Sequence, residues 1–368
     1  MSRQLAWCLK IGLMCASFLV MEGLARVYVS MIASPILRKK FSVFEDLPDN
    51  ERRVSPHPYL CYSNTPSYRH DLKSHNRLGW RGAEITLEKP KGVLRIAILG
   101  GSTTYTEAVS DDAQTFPAQL ERLLNEVATP QRIEVINAGV PGYNSAESLI
   151  NLCFRVIEMD PDMIVIHHGA NDVHCRMVKP ESYRADNRGR RKHWQFQKMS
   201  LVERHSALYR ILSRVQKASH VGLEPFVDAA DYVGPYSVFA DTGKVFHELL
   251  DKNPPTHYRN NLRHMLAIAK EHDIKVLLTT WAWCGEFDGD YSSFDFYQRG
   301  FKELNAIVTT LAADKGVPCY DFARDMAMNR KYWHDGRHVN AEGALLKAEL
   351  FAKFFEEQGL LDKLPKTL

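Results

Sequence analysis

The chain has 368 residues, of which 45% are hydrophobic and 25% are charged, so it can form one large α/β domain or two small ones. Its formal net charge of +3 is too small for the dense basic face that recognition of phosphate backbones needs, which excludes a nucleic-acid partner. Five of its seven cysteines follow residue 32, at spacings that fit no metal site.

The N-terminus is an apolar segment from Leu5 to Ile32, whose only charges are Lys10, Glu22 and Arg26. A helix needs about 20 such residues to cross a bilayer. A cleaved signal peptide is the alternative, but the apolar run exceeds the usual length and no clear cleavage site follows it. We therefore predict an uncleaved membrane anchor over residues 1–41. Basic residues flank it on both sides, so charge counting leaves its orientation open.

Residues 42–92 are rich in Pro, Asn, Ser and charge without a sustained period, which predicts a stalk or lead-in segment. From residue 93 short apolar runs alternate with amphipathic helices, which is typical of a doubly wound α/β fold with a five-stranded parallel sheet. This domain covers residues 93–362, with a basic, aromatic insertion at about 176–255 that holds one helix, Leu201–Lys217. The predicted strands are Leu94–Leu99, Ile133–Asn137, Met163–His167, Lys275–Thr280 and Val317–Tyr320. The other predicted helices are Phe116–Val127, Ala146–Glu158, Tyr258–His272, Phe296–Lys315 and Ala341–Gln358.

Ligands of such sheets bind beyond the carboxyl ends of the strands, where four stretches of this chain hold unusual residues. They are Gly100-Gly101-Ser102, Asn137 to Gly142, Gly169 to Asp172, and Asp335 to His338. Each alone has an ordinary explanation: a glycine turn or phosphate nest, a helix cap, or a histidine at a helix start.

Together these residues are the types that nucleophilic catalysis requires. A serine hydroxyl such as that of Ser102 needs a base, and the base needs an acceptor that fixes its tautomer. Asp335 precedes His338 by three residues, so its carboxylate can reach the ring nitrogen that faces away from the serine. Gly142 can offer a backbone N–H and Asn171 a side-chain N–H to an oxyanion.

In this order the four stretches resemble the conserved blocks of the SGNH hydrolases, also called GDSL esterases and lipases, over about residues 93–355. The anchor and the stretch from Asn76 to Gly82 look like those of bacterial membrane-anchored members. The resemblance implies a flavodoxin-like sheet and neither metal nor cofactor. It also implies that Ser102 is the nucleophile and that His338 and Asp335 complete the triad. The implied oxyanion donors are Gly142, Asn171 and the N–H of Ser102. Three positions depart from the family pattern: Gly101 replaces a usual Asp, Thr106 a usual Gly and Val339 a frequent Pro.

The sequence thus predicts a serine esterase on the inner membrane that removes a short acyl group from a carbohydrate or cell-envelope substrate outside the cytoplasm. A lysophospholipase or lipase, an acyltransferase between sugars, and a non-catalytic glycan-binding or scaffold protein with the same fold are the alternatives. No oligomeric state is predicted.

Three further stretches have two interpretations each. Residues 188–194 are either a solvated basic loop, which we favour, or an anionic substrate groove with Trp194 as a stacking platform. Trp281 and Trp283 follow the fourth strand and either meet substrate or pack in the core. Cys175 and Cys284 follow neighbouring strand ends and are expected at the rim of the site, where they form a disulfide or remain thiols.

Overall fold

A computed structural model of the chain describes residues 3–126, 131–194, 199–215, 226–227 and 242–364. Within these ranges the strands, in chain order, are β1 Val54–His57, β2 Cys61–Asn64, β3 Arg69–His70, β4 Lys73–Ser74, β5 Val93–Gly100, β6 Arg132–Gly139, β7 Met163–His167, β8 His193–Trp194, β9 Phe226–Val227, β10 Lys275–Thr279 and β11 Cys319–Tyr320. The α-helices are α1 Arg3–Val27, α2 Pro35–Phe41, α3 Ser102–Tyr105, α4 Phe116–Glu126, α5 Ser145–Asn151, α6 Ala170–Arg176, α7 Leu201–His205, α8 Ala207–Arg214, α9 Thr242–Lys252, α10 Thr256–Glu271, α11 Asp295–Lys315, α12 Phe322–Asp325 and α13 Ala341–Glu357.

The main sheet has five parallel strands in the spatial order β11-β10-β7-β5-β6. Counted along the chain, this is the order 5-4-3-1-2, so the predicted flavodoxin-like sheet is confirmed. All eight residues of β5 are buried because β5 pairs on both sides and helices cover both faces. The last strand begins two residues later than predicted, after Pro318, which has no N–H for a ladder bond.

The two faces of the sheet bury separate apolar clusters. One cluster packs α10 and α11 against the sheet and includes Trp281 and Phe301. The other packs α4 and α13 against the opposite face, where the rings of Phe116 and Phe351 lie 4.9 Å apart. The predicted helix that begins near Ala146 changes its winding, because α5 continues as a π-helical turn and then a 3₁₀ turn.

Residues 42–92 are not a stalk, because they fold onto the sheet domain. Two small antiparallel hairpins, β1–β2 and β3–β4, lie in this segment. Trp80 is buried in the core cluster that also holds Phe301. Asn76 holds the chain there with its side-chain oxygen, which accepts the N–H groups of Leu78 and Trp80 at 3.0 Å each. This packing depends on hydrogen bonds from polar side chains to the backbone. Such bonds produce no hydrophobic period in the sequence.

Arg81 joins this segment to the turn after β5. Its side chain is fully buried and bonds Asp112 at 2.8 Å. The guanidinium also donates to the carbonyl oxygens of Tyr105, Thr106 and Val109 at 2.7–2.9 Å. One planar, five-donor group therefore fixes the conformation of residues 105–112.

The apolar N-terminal segment is helical from Gln4 to Ile32, which by length and composition is enough to cross a membrane. Two of its charges pair with each other, since Arg26 lies 2.8 Å from Glu22 one helical turn away. The other acceptor bonds of Glu22 hold α1 to the insertion: they come from the Ser206 hydroxyl at 2.7 Å and from the N–H groups of Ala207 and Leu208 at 2.9 and 3.1 Å.

The helix predicted at Leu201–Lys217 is two helices, α7 and α8, and residues 216–217 lie outside the described ranges. The break falls at Ser206, which is extended. Its side chain caps α8 by accepting the N–H of Tyr209. Ser206 also donates to Glu22, so a contact with α1 decides where the helix is interrupted.

Cys175 and Cys284 are both buried and form no disulfide. Their surroundings differ. The sulfur of Cys175 accepts a bond from the Asn144 amide at 3.1 Å, whereas that of Cys284 faces the carbonyl of Met328 at 3.5 Å in the cluster around α13.

We expect Arg81→Met to lower the free energy of unfolding by about 3–5 kcal/mol, because it leaves Asp112 and three buried carbonyls without their donor. Urea unfolding of the full chain in mild detergent, followed by tryptophan fluorescence, measures the loss. Arg77→Met is the matched control, since that side chain is 77% exposed and should change stability by no more than about 0.5 kcal/mol. Equal effects of the two substitutions would contradict the role of Arg81.

Candidate active site

Ser102, His338 and Asp335 form one hydrogen-bonded chain at the carboxyl end of the sheet. Ser102 is the first residue of α3, directly after the turn that ends β5. Its Oγ lies 2.8 Å from Nε2 of His338. The other ring nitrogen of His338, Nδ1, lies 2.8 Å from Oδ2 of Asp335. The structure thus brings these three predicted residues together in the order that proton transfer from a serine requires.

The loop before α13 holds Asp335 in its ionised form. Burial raises the pKa of this carboxyl, but the hydrogen bond and charge of His338 and the N–H of Arg337 outweigh burial and keep it well below its usual range. Oδ1 of Asp335 accepts the backbone N–H groups of Arg337 and His338 at 2.8 Å each. A carboxylate beside Nδ1 favours the tautomer with its proton on Nδ1, so Nε2 is left to accept from the Ser102 hydroxyl.

Asn171 lines the same pocket as Ser102 and His338, a narrow cleft that is partly open to solvent. Its amide donates to the carbonyl of Tyr143 at 2.8 Å, which orients the group. Gly101 packs against it: a Cβ at this position would lie 2.8 Å from the amide nitrogen of Asn171. A side chain at position 101 would therefore require Asn171 or the backbone at Tyr143 to shift.

Gly142 does not line that pocket but an adjoining one, and Tyr143 and Asn171 line both. Its φ of +85° is a conformation that favours glycine. A Cβ there would lie 2.4 Å from the Tyr62 hydroxyl and 3.0 Å from the ammonium of Lys192. Of the predicted oxyanion donors, Gly142 therefore lines only the adjoining pocket, whereas Asn171 lines both pockets beside Tyr143.

Thr106, where the family pattern has glycine, adopts φ +62°, a costly conformation for a β-branched residue. Several bonds hold it there. Its hydroxyl donates to the carbonyl of Thr104 at 3.1 Å and accepts the N–H of Phe116 at 3.2 Å, and its own carbonyl accepts from Arg81. The turn behind Ser102 is thus fixed by side-chain bonds instead of by a second glycine.

Beneath this turn lies a buried chain of polar groups that the sequence analysis missed. The ammonium of Lys347 lies 3.0 Å from Nε2 of His167 and 3.5 Å from the carbonyl of Thr103. Nδ1 of His167 lies 2.8 Å from the Thr279 hydroxyl, which donates onward to the carbonyl of Ile166. His167 therefore donates from Nδ1 and accepts from Lys347 at Nε2. The available signal was the position of Lys347 on the apolar face of α13, four residues before Phe351.

Asp172, which ends the stretch from Gly169 to Asp172 and to which the sequence assigned no role, is a second buried group. Burial raises the pKa of Asp172 to about 7, against the lowering effect of its bonds from Ser145. The hydroxyl and N–H of Ser145 donate to its Oδ1 at 2.5 and 3.0 Å. Asp172 thereby ties the first turn of α6 to α5 and fixes the backbone that carries Asn171.

The two tryptophans after β10 have different positions. Trp281 lines the pocket and its ring occupies the space where a Cβ on Gly169 would stand, 2.3 Å from the nearest ring atom. It also packs on Phe301, with ring centroids 4.7 Å apart. Trp283 packs on Phe301 as well and is a core residue.

The basic stretch 188–194 is only partly a solvated loop. Arg188 is exposed, whereas Arg190, Arg191 and Lys192 are half-buried and line the pocket that holds Gly142. Trp194 lines neither this pocket nor the one around Ser102; it packs against the apolar cluster that holds Tyr62 and Tyr143, with its ring edge-on to Phe44 at 6.1 Å. It is therefore no stacking platform beside Ser102.

Comparison with known proteins shows the family of this chain. Residues 98–346 match the model of the GDSL-like lipase/acylhydrolase family, and the chain therefore belongs to that family of ester hydrolases. No curated protein sequence matches it significantly.

Solved structures with a similar fold include three hydrolases. A GDSL-like lipase from Bacteroides thetaiotaomicron is 19% identical, with 72% of this chain and 88% of that chain covered and a TM-score of 0.39. A lipase/acylhydrolase from Enterococcus faecalis is 17% identical, with coverage of 75% and 99% and a TM-score of 0.42. A catalytic mutant of an acetylxylan esterase from Geobacillus stearothermophilus is 15% identical, with coverage of 71% and 93% and a TM-score of 0.42.

The buried Lys347 predicts a pH-dependent stability. Burial lowers its pKa from 10.5 to about 7 in the folded chain, so between these values the unfolded chain binds the additional proton. The contribution of Lys347 to the free energy of unfolding therefore rises with pH over this window, by up to about 1 kcal/mol per pH unit. We expect the free energy of unfolding of the wild type, relative to that of Lys347→Met, to increase from pH 7 to pH 10. Urea unfolding at each pH measures this difference.

Lys353→Met is the control for this experiment, because Lys353 lies on the same helix with its side chain 71% exposed. Its difference from the wild type should stay flat over the same pH range. A flat difference for Lys347→Met would show that Lys347 keeps an ordinary pKa in the folded chain.

Proposed function

We propose that this family member is a membrane-anchored serine esterase that removes a short acyl group from a carbohydrate or cell-envelope substrate through an acyl-enzyme. The observation that carries the proposal is the unbroken chain of hydrogen bonds from the Ser102 hydroxyl through His338 to Asp335. A nucleophile, a base and an orienting carboxylate in this order are what acyl transfer by a serine requires.

In the proposed first half-reaction, Oγ of Ser102 bonds to the ester carbonyl carbon while its proton passes to Nε2 of His338. The electron pair of the carbonyl moves to its oxygen and forms a tetrahedral oxyanion. When this collapses, the bond to the alcohol oxygen breaks, and the alcohol leaves with the proton from His338. Asp335, ionised and bonded to Nδ1, stabilises the imidazolium in between.

In the second half-reaction water takes the place of the alcohol. His338 removes a proton from the water, whose oxygen bonds to the acyl carbon, and the second tetrahedral species releases the acid while Ser102 recovers its proton. The proposed oxyanion donors are the N–H groups of Ser102 and Gly142 and the side chain of Asn171. An amide nitrogen carries two N–H groups, so the bond of Asn171 to Tyr143 orients the group and leaves the second donor for the substrate.

The pocket around Ser102 favours a small acyl group over a lipid chain. Its lining is mostly polar or small, with His167, His168 and Arg337 beside the site residues, and Trp281 fills the space over Gly169. A long acyl chain needs an extended apolar channel instead. This is the observation against the lysophospholipase and lipase alternatives.

Membrane anchoring is part of the same proposal. The helix from Gln4 to Ile32 is 29 residues long, and only 6% of its most apolar window is buried inside the protein. Such a surface suits a lipid environment. We place the anchor in the inner membrane with the catalytic domain on the extracytoplasmic side.

Catalysis by Ser102 predicts that Ser102→Ala abolishes turnover of 4-nitrophenyl acetate, because no other group in the proposed mechanism supplies the nucleophile. Asn171→Ala should lower kcat by about 10²–10³, the usual loss for one oxyanion donor. Initial rates with the full chain in detergent measure both effects.

The matched control is Ser110→Ala, an exposed serine eight residues after the nucleophile, which should keep wild-type rates. Wild-type turnover by Ser102→Ala would refute the esterase mechanism. The non-catalytic glycan-binding alternative would then take its place.

The proposed topology predicts that alkaline phosphatase fused after Leu368 is active in a bacterial host, since this enzyme matures only outside the cytoplasm. Green fluorescent protein fused after the same residue should not fluoresce. The opposite pair of signals would place the catalytic domain in the cytoplasm.

A further inference from the structure

A basic pocket adjoins the site around Ser102. It is lined by Arg190, Arg191, Lys192, Tyr62 and Gly142, among others, and it shares Tyr143 and Asn171 with the neighbouring pocket. A molecule bound with its ester at Ser102 can therefore extend past Asn171 into this basic pocket.

The turn that carries the three basic residues is built into the protein. Asn187 is buried with φ +52°, and its side chain donates to that of Asn144 at 3.2 Å. Its carbonyl accepts the N–H groups of Arg190 and Arg191 at 2.9 and 2.6 Å. On the other side Gly189 packs so closely on Ser182 that a Cβ would lie 2.5 Å from its carbonyl oxygen. These contacts fix the backbone of the turn from which the three basic side chains project.

The charge in this pocket is positive and lies beside Gly142. The Lys192 ammonium stands 3.0 Å from the position of a Cβ on Gly142 and 6.0 Å from the centre of the Tyr62 ring. Glu147 is the acidic residue of the lining. Burial raises its pKa, and its carboxyl accepts the N–H of Asn144 at 2.9 Å. Even when Glu147 is ionised, three cationic side chains outnumber one carboxylate.

We propose that the basic pocket binds an anionic group, a carboxylate or a phosphate, carried by the saccharide whose ester is cleaved at Ser102. The inference rests on the proposed function and narrows its substrate to an acidic saccharide. Guanidinium and ammonium groups form their strongest hydrogen bonds with such anions. The net positive charge of the lining attracts an acidic sugar and not a neutral one, so the pocket discriminates between them.

The test compares inhibition of 4-nitrophenyl acetate turnover by three sugars of matched shape: methyl glucuronoside, methyl glucoside 6-phosphate and methyl glucoside. We expect an inhibition constant at least tenfold lower for an acidic sugar than for the neutral one, with the difference shrinking at 1 M salt. Stronger inhibition by the glucuronoside assigns a carboxylate, and stronger inhibition by the phosphate assigns a phosphate. Equal constants for all three sugars would overturn the proposal.

Substitutions locate the effect. Lys192→Gln should raise the inhibition constant of the acidic sugar about tenfold and leave that of the neutral sugar in place, and Lys192→Arg should restore most of the difference. Arg188→Gln is the matched control, because Arg188 is in the same turn but exposed, and it should behave as the wild type. If Lys192→Gln and Arg188→Gln act alike, the anion binds elsewhere and the proposal fails.

The readouts separate this inference from the proposed function. Loss of turnover in Ser102→Ala tests the esterase, whereas the ratio of inhibition constants tests the basic pocket. An active esterase without preference for acidic sugars would overturn the inference alone.

Discussion

The parallel pairing of β5 with a strand on each side is the constraint on which the site depends. Gly100, the last residue of β5, pairs with Gly139 at the end of β6 and with His167 at the end of β7. Neighbouring strands in a sheet are about 4.8 Å apart, so the turns after β6 and β7 each start one strand spacing from the turn after β5. Ser102, Gly142 and Asn171 follow these ends by two to four residues, so Ser102 and Asn171 share one pocket while Gly142 lines the pocket that adjoins it.

This crowding restricts which residues can stand at the strand ends. A Cβ on Gly139 would lie 2.3 Å from the backbone nitrogen of Tyr105, and one on Gly101 would collide with Asn171. Where the turn after β5 carries a side chain instead of a glycine, buried polar groups hold that residue by hydrogen bonds. Arg81 does this for Thr106. The active-site turn is therefore fixed by close packing from one side and by buried hydrogen bonds from the other.

The sheet could be predicted from local signals, and the site residues from their positions after the strands together with their resemblance to the SGNH hydrolase blocks. Strands buried on two faces appear as continuous apolar runs, and the site residues stand directly after them. The packing of residues 42–92 could not be predicted, since it depends on single groups such as Asn76 and Arg81 instead of on a period. Neither could the break at Ser206, because its partner Glu22 is 184 residues away in the sequence. Lys347 was overlooked because a lysine normally marks an exposed position.

The bonds between Glu22 and the start of α8 bear on how far the enzyme can reach. The apolar helix is not joined to the catalytic domain by a flexible tether, because its carboxylate is held by the insertion and residues 42–92 pack on the sheet. With α1 in a bilayer, the entrance to the site would stay at a nearly constant height above the lipid surface. The enzyme would then reach only those ester groups that thermal motion of the substrate brings to that height. The length and flexibility of the link between the substrate and its own anchoring point would therefore decide which substrates are cleaved, as much as their chemistry does.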